Sequence, residues 1–293
     1  MKTAIVAVLL TGLLVGLSGC DSEEPPEGMD QLSVLVSIQP QVYFAEQIGG
    51  QFVDAQAMVA PGHSPATYEP TPAQMSALSM ADMYFTIGVP FEKGLLPKIR
   101  ELHPELRIID TRDGIDLRPM QDDGHDHGMD PHVWLDPTMA KGIARNMADA
   151  LTEADGEKAG LFSDNLVNLQ LRLDSLDAFI RRELEDLTSR TFYVFHPAYG
   201  YFAEAYGLNQ VAVEIEGKEP SARRVAEFIE QARADSVRVI IVQPQFSTQA
   251  AETIAEEVGA EVLTIDPLAY DYFESMKELA EALSTSLGSM EGE

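Results

Sequence analysis

The sequence predicts an α/β protein of two pseudo-symmetric lobes, each a four-stranded parallel sheet flanked by helices, joined by one long rigid helix. Three observations carry this. Short runs rich in apolar and β-branched residues alternate with helical patterns, four such runs fall in each half of the chain, and an unbroken amphipathic stretch separates the halves. Near-continuous apolar strands alternating with helices indicate parallel sheets covered on both faces.

In the first half the strand runs are residues 32–38, 54–60, 82–87 and 107–110, with helical patterns around 41–48, 72–80 and 92–101. In the second half they are residues 191–195, 210–215, 238–242 and 261–265, with helices near 198–206, 222–234 and 248–258 and a closing helix at 272–287. Between the halves, Phe162, Leu166, Leu169, Leu173, Leu176, Ile180, Leu184 and Leu187 recur at steps of three and four, and no Gly or Pro interrupts residues 161–187. That pattern is a helix with one buried stripe, about 40 Å long at the usual rise per residue. Its few heptads favour burial against the lobes over a coiled-coil dimer, so a monomer is expected. A stiff connector predicts modest movement between lobes.

The predicted division is a leader at 1–19, an acidic tether at 20–31, a first lobe at 32–155, the linking helix at 156–189, a second lobe at 190–288 and a tail at 289–293. Lys2 precedes a short apolar run, residues 4–17, which suits a secretory signal and is too short for a spanning helix. The run ends in Leu17-Ser18-Gly19-Cys20, at the only cysteine. This resembles the bacterial lipobox, which implies cleavage before Cys20 and lipidation there. The expected place is therefore the periplasm or the outer face of the cytoplasmic membrane, held by the lipid. With Cys20 so used, neither disulfides nor cysteine metal sites are available. Asp and Glu number 48 against 20 Lys and Arg, a net charge of −28. That disfavours nucleic acid and anionic lipid as partners, and adaptation to a salty environment accounts for it without a functional role.

The chemistry gathers where strands end, the usual ligand side of parallel sheets. The run 54–60 leads into Pro61-Gly62-His63, 191–195 into His196-Pro197, and 261–265 into Asp266-Pro267. Asp130-Pro131-His132 places a third histidine at the approach to another helix, where Asp136-Pro137 reads as a plain N-cap. Proline suits the first position of a helix, so His196 and Asp266 are expected at strand-to-helix hinges. Three histidines and one carboxylate, two from each half, fit a site in a cleft between lobes.

Four segments carry a specific resemblance: Gly62-His63-Ser64-Pro65-Ala66-Thr67-Tyr68-Glu69-Pro70, Asp130-Pro131-His132-Val133-Trp134-Leu135-Asp136-Pro137, Phe195-His196-Pro197-Ala198-Tyr199 and Thr264-Ile265-Asp266-Pro267-Leu268. In order and spacing they resemble the ligand motifs of the metal-specific solute-binding proteins of bacterial zinc and manganese ABC importers. The resemblance implies His63, His132, His196 and Asp266 as metal ligands, Zn2+ as transported cargo, and an importer permease in the membrane as partner. Manganese receptors of the family resemble a set with an acid at the place of His196; three imidazoles and one carboxylate favour zinc. The alternatives are a receptor for Mn2+ or another divalent metal, or a metal-containing surface adhesin. An enzyme is not expected: four protein ligands leave no open coordination position, and no His-Glu-x-x-His helix occurs.

Some residues stand outside this pattern. His125 and His127 lie in a short acidic loop that either collects metal or is a solvated turn. Gln243 occupies a place where relatives commonly carry glutamate, which casts doubt on a supporting role there. His103 reads as a surface residue, and Glu214, Glu216 and Glu219 either border the cleft or, the favoured reading, form a solvated loop.

Overall fold

Each half of the chain builds its sheet in the same strand order. The computed structural model describes residues 30–120, 128–214, 221–246 and 248–288. The leader, Cys20, His125, His127, Glu216 and Glu219 lie outside those residues. The first sheet contains β1 (Leu32–Val36), β2 (Val53–Ala57), β3 (Met83–Thr86) and β4 (Arg107–Asp110), ordered β2-β1-β3-β4 and parallel throughout. The second contains β5 (Thr191–Val194), β6 (Asn209–Ala212), β7 (Val239–Val242) and β8 (Glu261–Thr264), ordered β6-β5-β7-β8, again all parallel. The central strands read apolar because both faces are covered: Met83, Tyr84 and Phe85 of β3 and Ile240, Ile241 and Val242 of β7 are all buried.

The helices are α1 (Gln39–Gly49), α2 (Pro72–Leu78), α3 (Pro90–Leu102), α4 (Pro137–Ala154), α5 (Ala159–Glu183), α6 (Gly200–Tyr206), α7 (Ala222–Ala234), α8 (Thr248–Val258) and α9 (Tyr272–Leu287). The linking helix α5 has 25 residues, so it runs about 37 Å. Its stripe of Phe162, Leu169, Leu173, Leu176 and Ile180 is buried against α1, α4 and α9. The stripe is thus spent on the chain's own lobes. No helix among the described residues is long and apolar enough to cross a membrane.

One apolar core runs from the first sheet through α1, α4 and α5 to α9 and the near face of the second sheet. A smaller one lies on the far side of the second sheet, under α7 and α8. Aromatic contacts seal the larger core across the lobes: Phe44 of α1 meets Tyr272 of α9 at 4.9 Å between ring centroids. Buried hydrogen bonds pin it further. Trp134 Nε1 donates to the Pro267 carbonyl at 2.8 Å, and the Tyr272 hydroxyl donates to the Trp134 carbonyl at 2.7 Å.

Two prolines sit differently from expectation. Asp136 is indeed the N-cap of α4, accepting from Thr138 N at 2.8 Å, with Pro137 at the first position. But α6 begins at Gly200 and α9 at Tyr272, so Pro197 and Pro267 stand in turns before the helices. The turns are closed locally, by Ala198 N donating to the His196 carbonyl and by Leu268 N donating to the Asp266 side chain. Proline still fixes the backbone beside each functional residue, though not as a helix opener.

Candidate metal centre

His196 leaves the end of β5, and its main chain is clamped from β7. Gln243 Oε1 accepts from His196 N at 3.1 Å, and Gln243 Nε2 donates to the His196 carbonyl at 2.9 Å. Gln243 is fully buried, and an amide can both donate and accept where a carboxylate cannot. The position that sequence reasoning set aside therefore supports the site. Replacing Gln243 with leucine should leave two buried backbone groups unpaired and cost about 2 kcal/mol or more, read as a lower midpoint in urea unfolding of the metal-free protein.

The His196 ring stacks on Phe246, 4.9 Å between centroids and 25° between planes. Its Nδ1 is hydrogen-bonded to Glu214 Oε2. His132 follows the Asp130-Pro131 turn and is held the same way: Asp130 Oδ1 takes its backbone N–H at 3.0 Å and its ring Nδ1 at 2.8 Å. Asp130 is itself buried. Gly200 permits this, since a Cβ there would come within 2.7 Å of the Asp130 carboxylate. Both imidazoles are nearly enclosed, His132 at 8% and His196 at 9% exposure. Burial holds the His196 imidazole below the ordinary histidine range, with the Glu214 hydrogen bond opposing the shift.

With each Nδ1–H committed to a carboxylate, both Nε2 atoms carry lone pairs. They face each other at 3.3 Å. Two acceptor nitrogens so placed repel unless a cation lies between them. Tetrahedral zinc with Zn–N bonds near 2.0–2.1 Å separates neighbouring nitrogens by about 3.3 Å. The carboxylate behind each ring is the arrangement that fixes tautomer and basicity in zinc sites.

The other two predicted ligands stand nearby but apart. His63 is exposed, on the loop after β2, with its ring edge-on to Tyr68 at 5.9 Å and its Nδ1 3.2 Å from the Pro61 carbonyl. The turn before it needs Gly62, whose φ is +77°. Asp266 is half-buried, with Oδ1 accepting from Gln245 Nε2 at 2.7 Å and Leu268 N at 2.9 Å. A cleft of about 580 Å³ between the lobes is lined by Pro65, Arg112, His132, His196 and Phe246. A smaller cavity of about 140 Å³ is bordered by Gly62 and Asp266, and Leu268 lines both. The structure thus brings His132 and His196 together, and sets Asp266 and the His63 loop around the adjoining space. Among the described residues, no three of His, Cys, Asp and Glu converge on one point.

Sequence reasoning placed Glu214 in a solvated loop; it is 1% exposed, at the end of β6 beneath His196. Its signal was its place near the C-terminal end of the predicted strand 210–215, on the same sheet edge as His196 and Asp266.

A family model described as zinc-uptake complex component A, periplasmic (ZnuA), matches residues 34–286. The chain belongs to this family. Among curated ZnuA relatives, the high-affinity zinc uptake system protein ZnuA of Bacillus subtilis (strain 168) is 27% identical over 307 residues, 97% of this chain and 96% of its own. The zinc-binding lipoprotein AdcA of Streptococcus pneumoniae (strain ATCC BAA-255 / R6) is 25% identical over 278 residues, 90% of this chain; the chain spans only 55% of AdcA. A crystal structure of a ZnuA deletion mutant with zinc bound matches with a TM-score of 0.84 at 37% identity, covering 89% of this chain and 100% of the other. The ZnuA match spans both sheets and the helix between them.

Proposed function

We propose that the chain is an extracytoplasmic receptor that captures Zn2+ between its lobes and passes it to the permease of an ABC importer. The observation that carries this is the pair of Nε2 atoms 3.3 Å apart, each backed by a carboxylate. In this reading His132 and His196 form a rigid two-nitrogen half-site, and His63 and Asp266 complete a tetrahedral shell from the adjoining loops. Three imidazoles with one carboxylate suit zinc better than manganese. Four protein ligands leave the metal no open position, which suits carriage rather than catalysis. Family membership supports the transport role, the leader with Cys20 supports export and lipid anchoring, and burial of the α5 stripe on the chain's own helices supports a monomer.

Metal analysis of the protein, exported from cells and purified without an affinity tag, tests the reading. One zinc per chain, removed by a strong chelator and restored by equimolar zinc in calorimetry, is the expected outcome. Protein that carries manganese instead, or takes up no zinc at equimolar ratio, would sink it.

A further inference from the structure

The two carboxylates behind the imidazoles are not in equivalent surroundings. Asp130 Oδ1 serves His132, and the Arg118 guanidinium, which also pairs with Glu204, places a cation 4.0 Å from its Oδ2. Glu214 Oε2 serves His196, but its Oε1 is buried without a hydrogen-bond partner among the described residues. The only ion-pair partner recorded for Glu214 among the described residues is the His196 ring itself. A buried, uncompensated carboxylate disfavours the state that contains it. The His196 ring lies between that charge and the point where a cation would sit, with Nδ1 on the Glu214 side and Nε2 on the His132 side. A divalent cation on Nε2 would face the charge across one imidazole.

We propose that Glu214 is the positioning residue that sets zinc affinity: it fixes the His196 tautomer and holds an unbalanced buried charge that bound zinc offsets. Glu214 is not itself a ligand, since its contact is to the far nitrogen of the ring. The inference rests on His132 and His196 being zinc ligands.

The test measures zinc affinity, by competition with a chelator at neutral pH, for wild type, E214Q, E214A, H132A and H196A, alongside the melting temperature of each metal-free protein. E214Q keeps size and an acceptor for Nδ1–H but drops the charge, so it is the informative variant and is expected to fold. Zinc binding by E214Q should weaken tenfold to a hundredfold, the usual effect of losing an outer partner of a metal-bound histidine. Its metal-free melting temperature should be unchanged or higher, because the uncompensated charge is gone. A merely structural role for Glu214 would instead lower that temperature and leave the affinity of the folded fraction alone. E214Q binding zinc within twofold of wild type would overturn the proposal, whatever E214A does. If H132A and H196A also bind as wild type, the site reading fails; if they lose binding while E214Q does not, only this inference fails.

Discussion

Replacing His196 with alanine is expected to weaken zinc binding by about a hundredfold or more. Structural zinc sites release on the order of 10–16 kcal/mol, so one of four ligands carries roughly 3 kcal/mol, about two decades in affinity. The loss should sit at the high end of that range, because His196 is held in advance: Gln243 clamps its backbone, Phe246 its ring face and Glu214 its Nδ1. A ligand that needs no ordering contributes more of its bond energy to affinity. His132 to alanine should behave alike. Replacing His196 with glutamate should also shift preference toward manganese, since an oxygen donor replaces a nitrogen. Competition titrations with both metals read the effects together. Undiminished zinc affinity in H196A, or an unchanged zinc-to-manganese ratio in H196E, would count against the ligand assignment.

Lowering the pH from 7.5 to 5 is the second large effect, and its sign follows from protonation. Zinc needs its imidazoles neutral and its carboxylate ionised. An ordinary imidazole takes a proton near pH 6.5 and an ordinary aspartate near 3.9, so protons compete first at histidine. Three imidazole ligands could together oppose zinc by up to about a thousandfold per pH unit at the acid limit. For His196 burial outweighs the hydrogen bond to Glu214 and keeps the ring neutral to lower pH. The proton on His196 therefore joins the competition late, so the fall starts below the acid limit and steepens as the pH drops. The metal-free protein should lose some stability over the same window. A folded-state pKa below the unfolded one means that, as pH falls below about 6.5, the unfolded chain gains protons the folded one refuses. Zinc affinities measured against a chelator of known pH dependence would settle the matter. A profile flat down to pH 5 would indicate a site built from carboxylates.

The architecture was legible because its signals are periodic. All eight predicted strands appear, and the stripe from Phe162 to Ile180 is the buried face of α5. The ligand candidates were legible for a different reason: His196 and Asp266 each follow directly on an apolar run that could only be a strand. Their supporting partners were not. Glu214 is one acid among 48 acidic residues, and nothing in its local sequence says that β6 lies beside β5 and buries it under His196. Gln243 is uninformative until β7 is seen to pair with β5. Such roles are set by strand order, and order is invisible to a periodicity. The prolines misled for a related reason, since the handful of residues closing the turns after His196 and Asp266 carry no period at all.

The sealing of the core across both lobes has a consequence for the order in which the chain acquires its structure. Tyr270 donates to Glu46 on the other lobe, 224 positions away in sequence, and the adjoining Tyr272 and Phe273 cover Phe44 and Tyr43. The first lobe therefore leaves aromatic surface of α1 uncovered until nearly the last helix of the chain has emerged. Contacts of such long range form slowly, because a large loop must close before they reward it. A chain delivered across a membrane from its N-terminus would cross with its first half still loosely assembled. Completion would then wait for α9 to follow.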